Sequence, residues 1–88
     1  MVRYKIIFSK QAEKDKKLLK QAGLENKTKA ILNKMIENPY ITPPSYEALR
    51  GNLRGFYSRR INIQHRIVYE VIEAEKIIRI LRMWTHYD

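Results

Sequence analysis

The stretch Asn38–Ser45, NPYITPPS, holds all three prolines of the chain and splits it into two halves with different periodicities. Pro39 fixes its own φ, offers no N–H and disfavours helix at Asn38, so no helix runs through this point. Upstream, Leu24, Thr28, Ile31, Leu32, Met35 and Ile36 recur at i, i+4, i+7, i+8, i+11 and i+12, which is one face of a helix ending at Asn38. A shorter apolar stripe at Ala12, Leu18, Leu19 and Ala22 marks an earlier helix, with Ser9 as its N-cap and Gly23 as its stop. Before that, Tyr4, Ile6 and Phe8 alternate as in a strand. Downstream of the prolines the period changes to two, and YEALRG, FYSRRINI, HRIVYEVI and KIIRILRMW read as four strands. The segments IQ and EAE are placed as hairpin turns between the last three.

This ordering, β-α-α-β-β-β-β, predicts an α+β domain over residues 1–88, with two helices packed on one face of a largely antiparallel sheet. The other face is left open to water or a ligand. The last strand also decides how to read the ending, THYD: a strand as apolar as KIIRILRMW holds its exit against its neighbours, where a loose tail would fray.

Eighty-eight residues suffice for one domain with a thin core. There are no cysteines and two histidines, which excludes disulfides and thiolate metal sites and leaves no set of ligands for a transition metal; no cofactor is expected. MVRYKIIFSK contains no long apolar run, so neither a signal peptide nor a membrane span is expected, and the expected location is cytoplasmic. Eighteen Lys and Arg against nine Asp and Glu leave a charge of +9, which favours a polyanionic partner. The distribution is uneven. Nine Lys and one Arg precede Pro39, whereas seven Arg and one Lys follow it. Lysine suits a solvated helix face, while the arginine fork pairs bidentately with phosphate.

Several residues in the second half could converge on the open face: Glu47, the pair Arg50 and Arg54 around GNL, the run Arg59, Arg60 and Arg66, and His86 with Tyr87. His65 shares its parity with Ile67, Tyr69 and Val71 and reads as structural. A carboxylate, an imidazole and a guanidinium are together the minimum set for cutting RNA without a metal. One takes the proton from the ribose 2′-OH, one protonates the leaving 5′-oxygen, and one holds the charge on phosphorus. Histidine is suited to the proton transfer because it titrates near neutrality. Aromatic rings nearby could stack unpaired bases.

The segment YEALRGNLRGFYSRRINIQHRIVYEV, together with the terminal His86-Tyr87, resembles the YoeB/Txe branch of the RelE/ParE toxin superfamily. That resemblance implies the RelE/ParE-like microbial RNase fold and the toxin of a type II toxin–antitoxin system. It further implies an mRNA interferase that cleaves the codon exposed in the ribosomal A site. In that reading Glu47 is the general base, Arg66 stabilises the phosphate, His86 is the general acid and Tyr87 orients the substrate. Arg50, Arg59, Arg60 and Arg82 would contact RNA, the last replacing a cation that relatives carry just before the histidine, where this chain has Trp84 and Thr85. The lysine-rich helices would face 16S ribosomal RNA. The implied partners are mRNA, the ribosome and an acidic antitoxin protein, with a homodimer or a toxin–antitoxin hetero-oligomer as assemblies. The rival readings are a ParE-like toxin that inhibits a DNA topoisomerase, a homologue that binds RNA or antitoxin without cutting, and a generic basic DNA-binding domain.

Overall fold

The computed structural model describes residues 3–42, 45–62 and 65–84. Strand β1 (Lys5–Phe8) leads into helices α1 (Lys10–Gln21) and α2 (Glu25–Glu37). Strand β2 (Tyr46–Ala48), a short 3₁₀ turn (Gly51–Leu53), and strands β3 (Tyr57–Arg60), β4 (Arg66–Ile72) and β5 (Ile77–Arg82) complete the chain.

Local chemistry sets the helix ends. Ser9 Oγ accepts from the Ala12 N–H at 3.0 Å and donates to the Leu81 carbonyl at 2.7 Å, so one hydroxyl caps α1 and ties it to β5. At the other end Gly23 takes φ +76°, and the Leu24 N–H returns to the Leu19 carbonyl at 2.9 Å. This Schellman closure needs the left-handed backbone that glycine supplies. Helix α2 stops at Glu37 because Asn38, ahead of Pro39, is extended at φ −156° and ψ 106°.

The five strands form one sheet in the order β1-β5-β4-β3-β2. Only β1 and β5 pair in parallel; the other neighbours are antiparallel, as the hairpin spacing predicts. The turn predicted at EAE is present at residues 73–76, whereas the one placed at IQ lies outside the described residues. Helix α1 lies over β5 and β1. The core joins Ala12 and Leu19 of α1, Ile31 and Met35 of α2, and Ile67, Tyr69, Ile78 and Ile80 of the sheet. Each fully buried aliphatic side chain contributes about 1.5–3 kcal/mol. The stripe read on α1 needs one correction: Leu18 and Ala22 are exposed, and Asp15 occupies the buried face beside Ala12 and Leu19.

Candidate active site

Strand register decides which side chains share a face, because alternate residues point to opposite sides of a sheet. One row, Tyr46–Arg59–Ile67, turns toward the helices, with Arg59 and Ile67 completely buried. The next row, Glu47–Ser58–Val68, and the pair Arg60–Arg66 beside it therefore belong to the opposite face. This places Glu47 and Arg66 together although β3 separates their strands. Arg66 Nη1 lies 3.8 Å from Glu47 Oε2. The arginine side chain is 16% exposed and the glutamate side chain 70%, so a held guanidinium sits beside a carboxylate that reaches into solvent. An ion pair this long, with its carboxylate in solvent, contributes about 0–1 kcal/mol to the fold. Between them in the sheet, the Ser58 hydroxyl is buried and has no hydrogen-bond partner among the described residues. Sequence reasoning did not single out Ser58; its only signal is that it shares parity with Arg60 within SRR.

Arg50 and Arg54 stand on the loop between β2 and β3. They line a cavity of about 420 Å³ with Leu49, Gly51, Gly55 and Phe56. Gly51 and Gly55 take φ +67° and +96°, which lets the chain double back within six residues (50–55) and brings the two arginines to one opening. Arg50, Arg54 and Arg60 are exposed, and none is within ion-pair distance of a carboxylate among the described residues. An apolar floor with a cationic rim is suited to a base and its phosphate.

Arg59 requires a correction. It was expected to contact RNA, yet it is 0% exposed and lies on the helix-facing side of β3. Its Nη1 donates to the Ile41 carbonyl at 2.6 Å and its Nη2 to the Pro39 carbonyl at 2.8 Å. The guanidinium also lies over the Tyr46 ring, 5.1 Å from its centroid, and the Tyr69 hydroxyl donates to the same Pro39 carbonyl at 3.1 Å. The proline-rich loop has carbonyls without ladder partners, and Arg59 fastens them to the sheet. Arg82 is likewise engaged within the protein: its Nε is 3.0 Å from Asp15 Oδ2, and its Nη2 donates to the Trp84 carbonyl at 3.1 Å. His86 and Tyr87 lie outside the described residues. Two residues before His86, the Trp84 ring stacks on His65 at a centroid distance of 3.9 Å and an interplanar angle of 20°.

Proton affinities are shifted around Glu73. That carboxylate pairs with Lys76 at 3.1 Å and accepts from the Tyr4 hydroxyl at 2.9 Å, partners that hold it below the usual range. Tyr40 is pushed up to about 12, first by burial and then by its hydrogen bond to Glu73. Among the described residues no group of His, Asp and Glu is placed to hold a metal ion, and no helix is long and apolar enough to cross a membrane.

A family described as the YoeB-like toxin of bacterial type II toxin–antitoxin systems matches residues 8–87. The toxin YoeB of Synechocystis sp. is 35% identical over 76 residues, spanning 86% of this chain and 79% of that protein. A chain of the heterotetrameric YoeB-YefM toxin–antitoxin complex from Staphylococcus aureus superposes with a TM-score of 0.80 at 36% identity, covering 97% of this chain and 99% of that one. The YoeB dimer from the same organism gives a TM-score of 0.79 at 36% identity, with 97% and 99% covered. With the fold and the match over residues 8–87 in agreement, the chain belongs to the YoeB-like toxins of bacterial type II toxin–antitoxin systems.

Proposed function

We propose that the chain is an endoribonuclease that cleaves mRNA in the ribosomal A site by metal-independent acid–base catalysis, and so inhibits translation. The observation that carries this reading is the meeting of Glu47 and Arg66 at 3.8 Å on the sheet face remote from the helices. Glu47 takes the proton from the 2′-OH of the ribose, and O2′ attacks the adjacent phosphorus. Arg66 binds the negative charge that builds on the non-bridging oxygens, where a fixed cation is most effective. His86 gives its proton to the departing 5′-oxygen, leaving a 2′,3′-cyclic phosphate and a 5′-hydroxyl. Tyr87 orients the nucleotide, while Arg50 and Arg60 hold flanking phosphates. Base, acid and cation all come from side chains, so no metal is required for any step.

The same cationic surface suits an acidic antitoxin segment that folds as it binds. The Staphylococcus aureus relatives, solved as a YoeB-YefM heterotetramer and as a YoeB dimer, support a toxin–antitoxin assembly and a homodimer for this chain too. A ribosomal substrate places the active protein in the cytoplasm.

Primer extension on a defined mRNA, with and without programmed ribosomes, tests the proposal. The wild-type protein should cut at the A-site codon and leave a cyclic phosphate. His86→Ala and Glu47→Ala should each slow cutting by about 10²-fold or more, the usual loss when a positioned acid or base is removed. An intact message on ribosomes, in cells whose growth the protein still arrests, would refute the interferase reading and favour inhibition of a topoisomerase.

A further inference from the structure

Asp15 is a carboxylate on the inner face of α1, with no solvent exposure, between Ala12 and Leu19. Burying a carboxylate costs several kcal/mol unless its lone pairs are satisfied, and an apolar residue of similar size would serve a helix face as well. The partners of Asp15 indicate what it is for. Its Oδ2 accepts from the Met83 N–H at 3.0 Å, the Trp84 N–H at 3.2 Å and Arg82 Nε at 3.0 Å. Arg82 closes the loop by donating to the Trp84 carbonyl at 3.1 Å. Three consecutive residues are thus tied to one carboxylate.

They are tied at the point where β5 leaves the sheet. The register between β4 and β5 shifts at Val68/Tyr69, Arg82 is the last paired residue, and Met83 and Trp84 lie beyond the ladder. Past the ladder, their N–H groups need acceptors other than a neighbouring strand, and Asp15 supplies one. Trp84 in turn stacks on His65, the residue immediately before Arg66. The strand exit is therefore referenced both to the α1 core and to the start of the strand that carries the phosphate-binding arginine. His86 follows Trp84 by two residues, a span of at most about 7 Å of chain.

We propose that Asp15, with Arg82 as its counter-ion, is the positioning residue for the terminal acid: it fixes residues 82–84, the stretch of chain that leads into His86. The proposal rests on the assignment of His86 as the general acid. Asp15 touches no substrate and acts only through the backbone it holds.

The test is a double-mutant cycle in single-turnover cleavage on programmed ribosomes, using Asp15→Ala and His86→Ala alone and together, with rates normalised to the folded fraction. Asp15→Ala should slow cleavage by about 10²-fold, the penalty expected for misplacing a reacting group by about an ångström. The double variant should be no slower than His86→Ala, because displacing an absent acid has no effect. Acrylamide quenching of Trp84, the chain's only tryptophan, should rise in Asp15→Ala. If Asp15→Ala does not fold, Arg82→Met carries the test, since it removes the counter-ion and leaves the carboxylate on the backbone. It should slow cleavage about tenfold, and only when His86 is present. A folded Asp15→Ala that cleaves at the wild-type rate, or an effect that multiplies onto that of His86→Ala, overturns the proposal while leaving the acid assignment intact. A His86→Ala that cleaves like wild type overturns both.

Discussion

Replacing Arg59 separates a phosphate ligand from a structural clamp, because the two roles predict opposite losses. In Arg59→Met the apolar stem is kept while the donors to the Ile41 carbonyl at 2.6 Å and the Pro39 carbonyl at 2.8 Å are removed. A buried acceptor left without its donor costs about 1–3 kcal/mol. Pro39 keeps the Tyr69 hydroxyl at 3.1 Å, so its share falls at the low end, and the total is about 2–4 kcal/mol. Small domains have roughly 5–15 kcal/mol in all, and a thin core lies toward the lower figure. With a urea m-value of about 1 kcal/mol/M, the unfolding midpoint should drop by about 2–4 M with the slope unchanged. Urea titration followed by far-UV circular dichroism measures this. Arg60→Met, one residue along on the exposed side, is the control. It should move the midpoint by less than about 0.5 M while weakening binding to ribosomes. The reasoning is refuted if Arg59→Met unfolds at the wild-type midpoint and loses ribosome affinity instead.

Other perturbations probe the open face and the far side of the sheet. Glu47→Gln should lower the cleavage rate by about 10²–10⁴-fold and leave stability within about 1 kcal/mol, since its ion pair with Arg66 is long and its own side chain is exposed; single-turnover kinetics beside a thermal melt measure both. Arg54→Gln should weaken binding to a single-stranded RNA and make the slope of log affinity against log salt shallower by about 0.7 if that arginine holds one phosphate; an unchanged slope would remove it from the interface. Tyr40 is held up at about 12 in the fold against 10.0 ordinarily, so it contributes stability that is full below pH 10 and lost as pH rises through about 12. Tyr40→Phe should therefore lose less stability than wild type across that window in urea titrations, and an equal loss would show that other groups carry the alkaline transition.

What was legible in the sequence, and what was not, follows from how far each interaction reaches along the chain. The start of α1 at Ser9, its stop at Gly23 and the end of α2 before Pro39 are settled by groups a few residues apart, so composition alone places them. The alternation in β4 and β5 is local in the same sense. The parallel pairing of β1 with β5 is not, because it joins residues 72 positions apart and depends on how the helices cross the sheet. The closeness of Glu47 and Arg66 comes from register across an intervening strand; the resemblance supplied both names, and the fold supplied the distance.

The two buried charges were hardest to read. EKDKK looks like a solvated turn of helix, and SRR like a solvated strand, because the partners that bring Asp15 and Arg59 inside are backbone groups 18 to 69 residues away. Each charge meets backbone that has left a helix or ladder: the carbonyls of the proline-rich loop for Arg59, the N–H groups past β5 for Asp15. One segment leads into β2 and Glu47, and the other leads to His86. Satisfying those groups with water would have served stability nearly as well while leaving both segments free to move. A buried charge permits one arrangement only, which is what the proposed base at Glu47 and the proposed acid at His86, well apart in the chain, require.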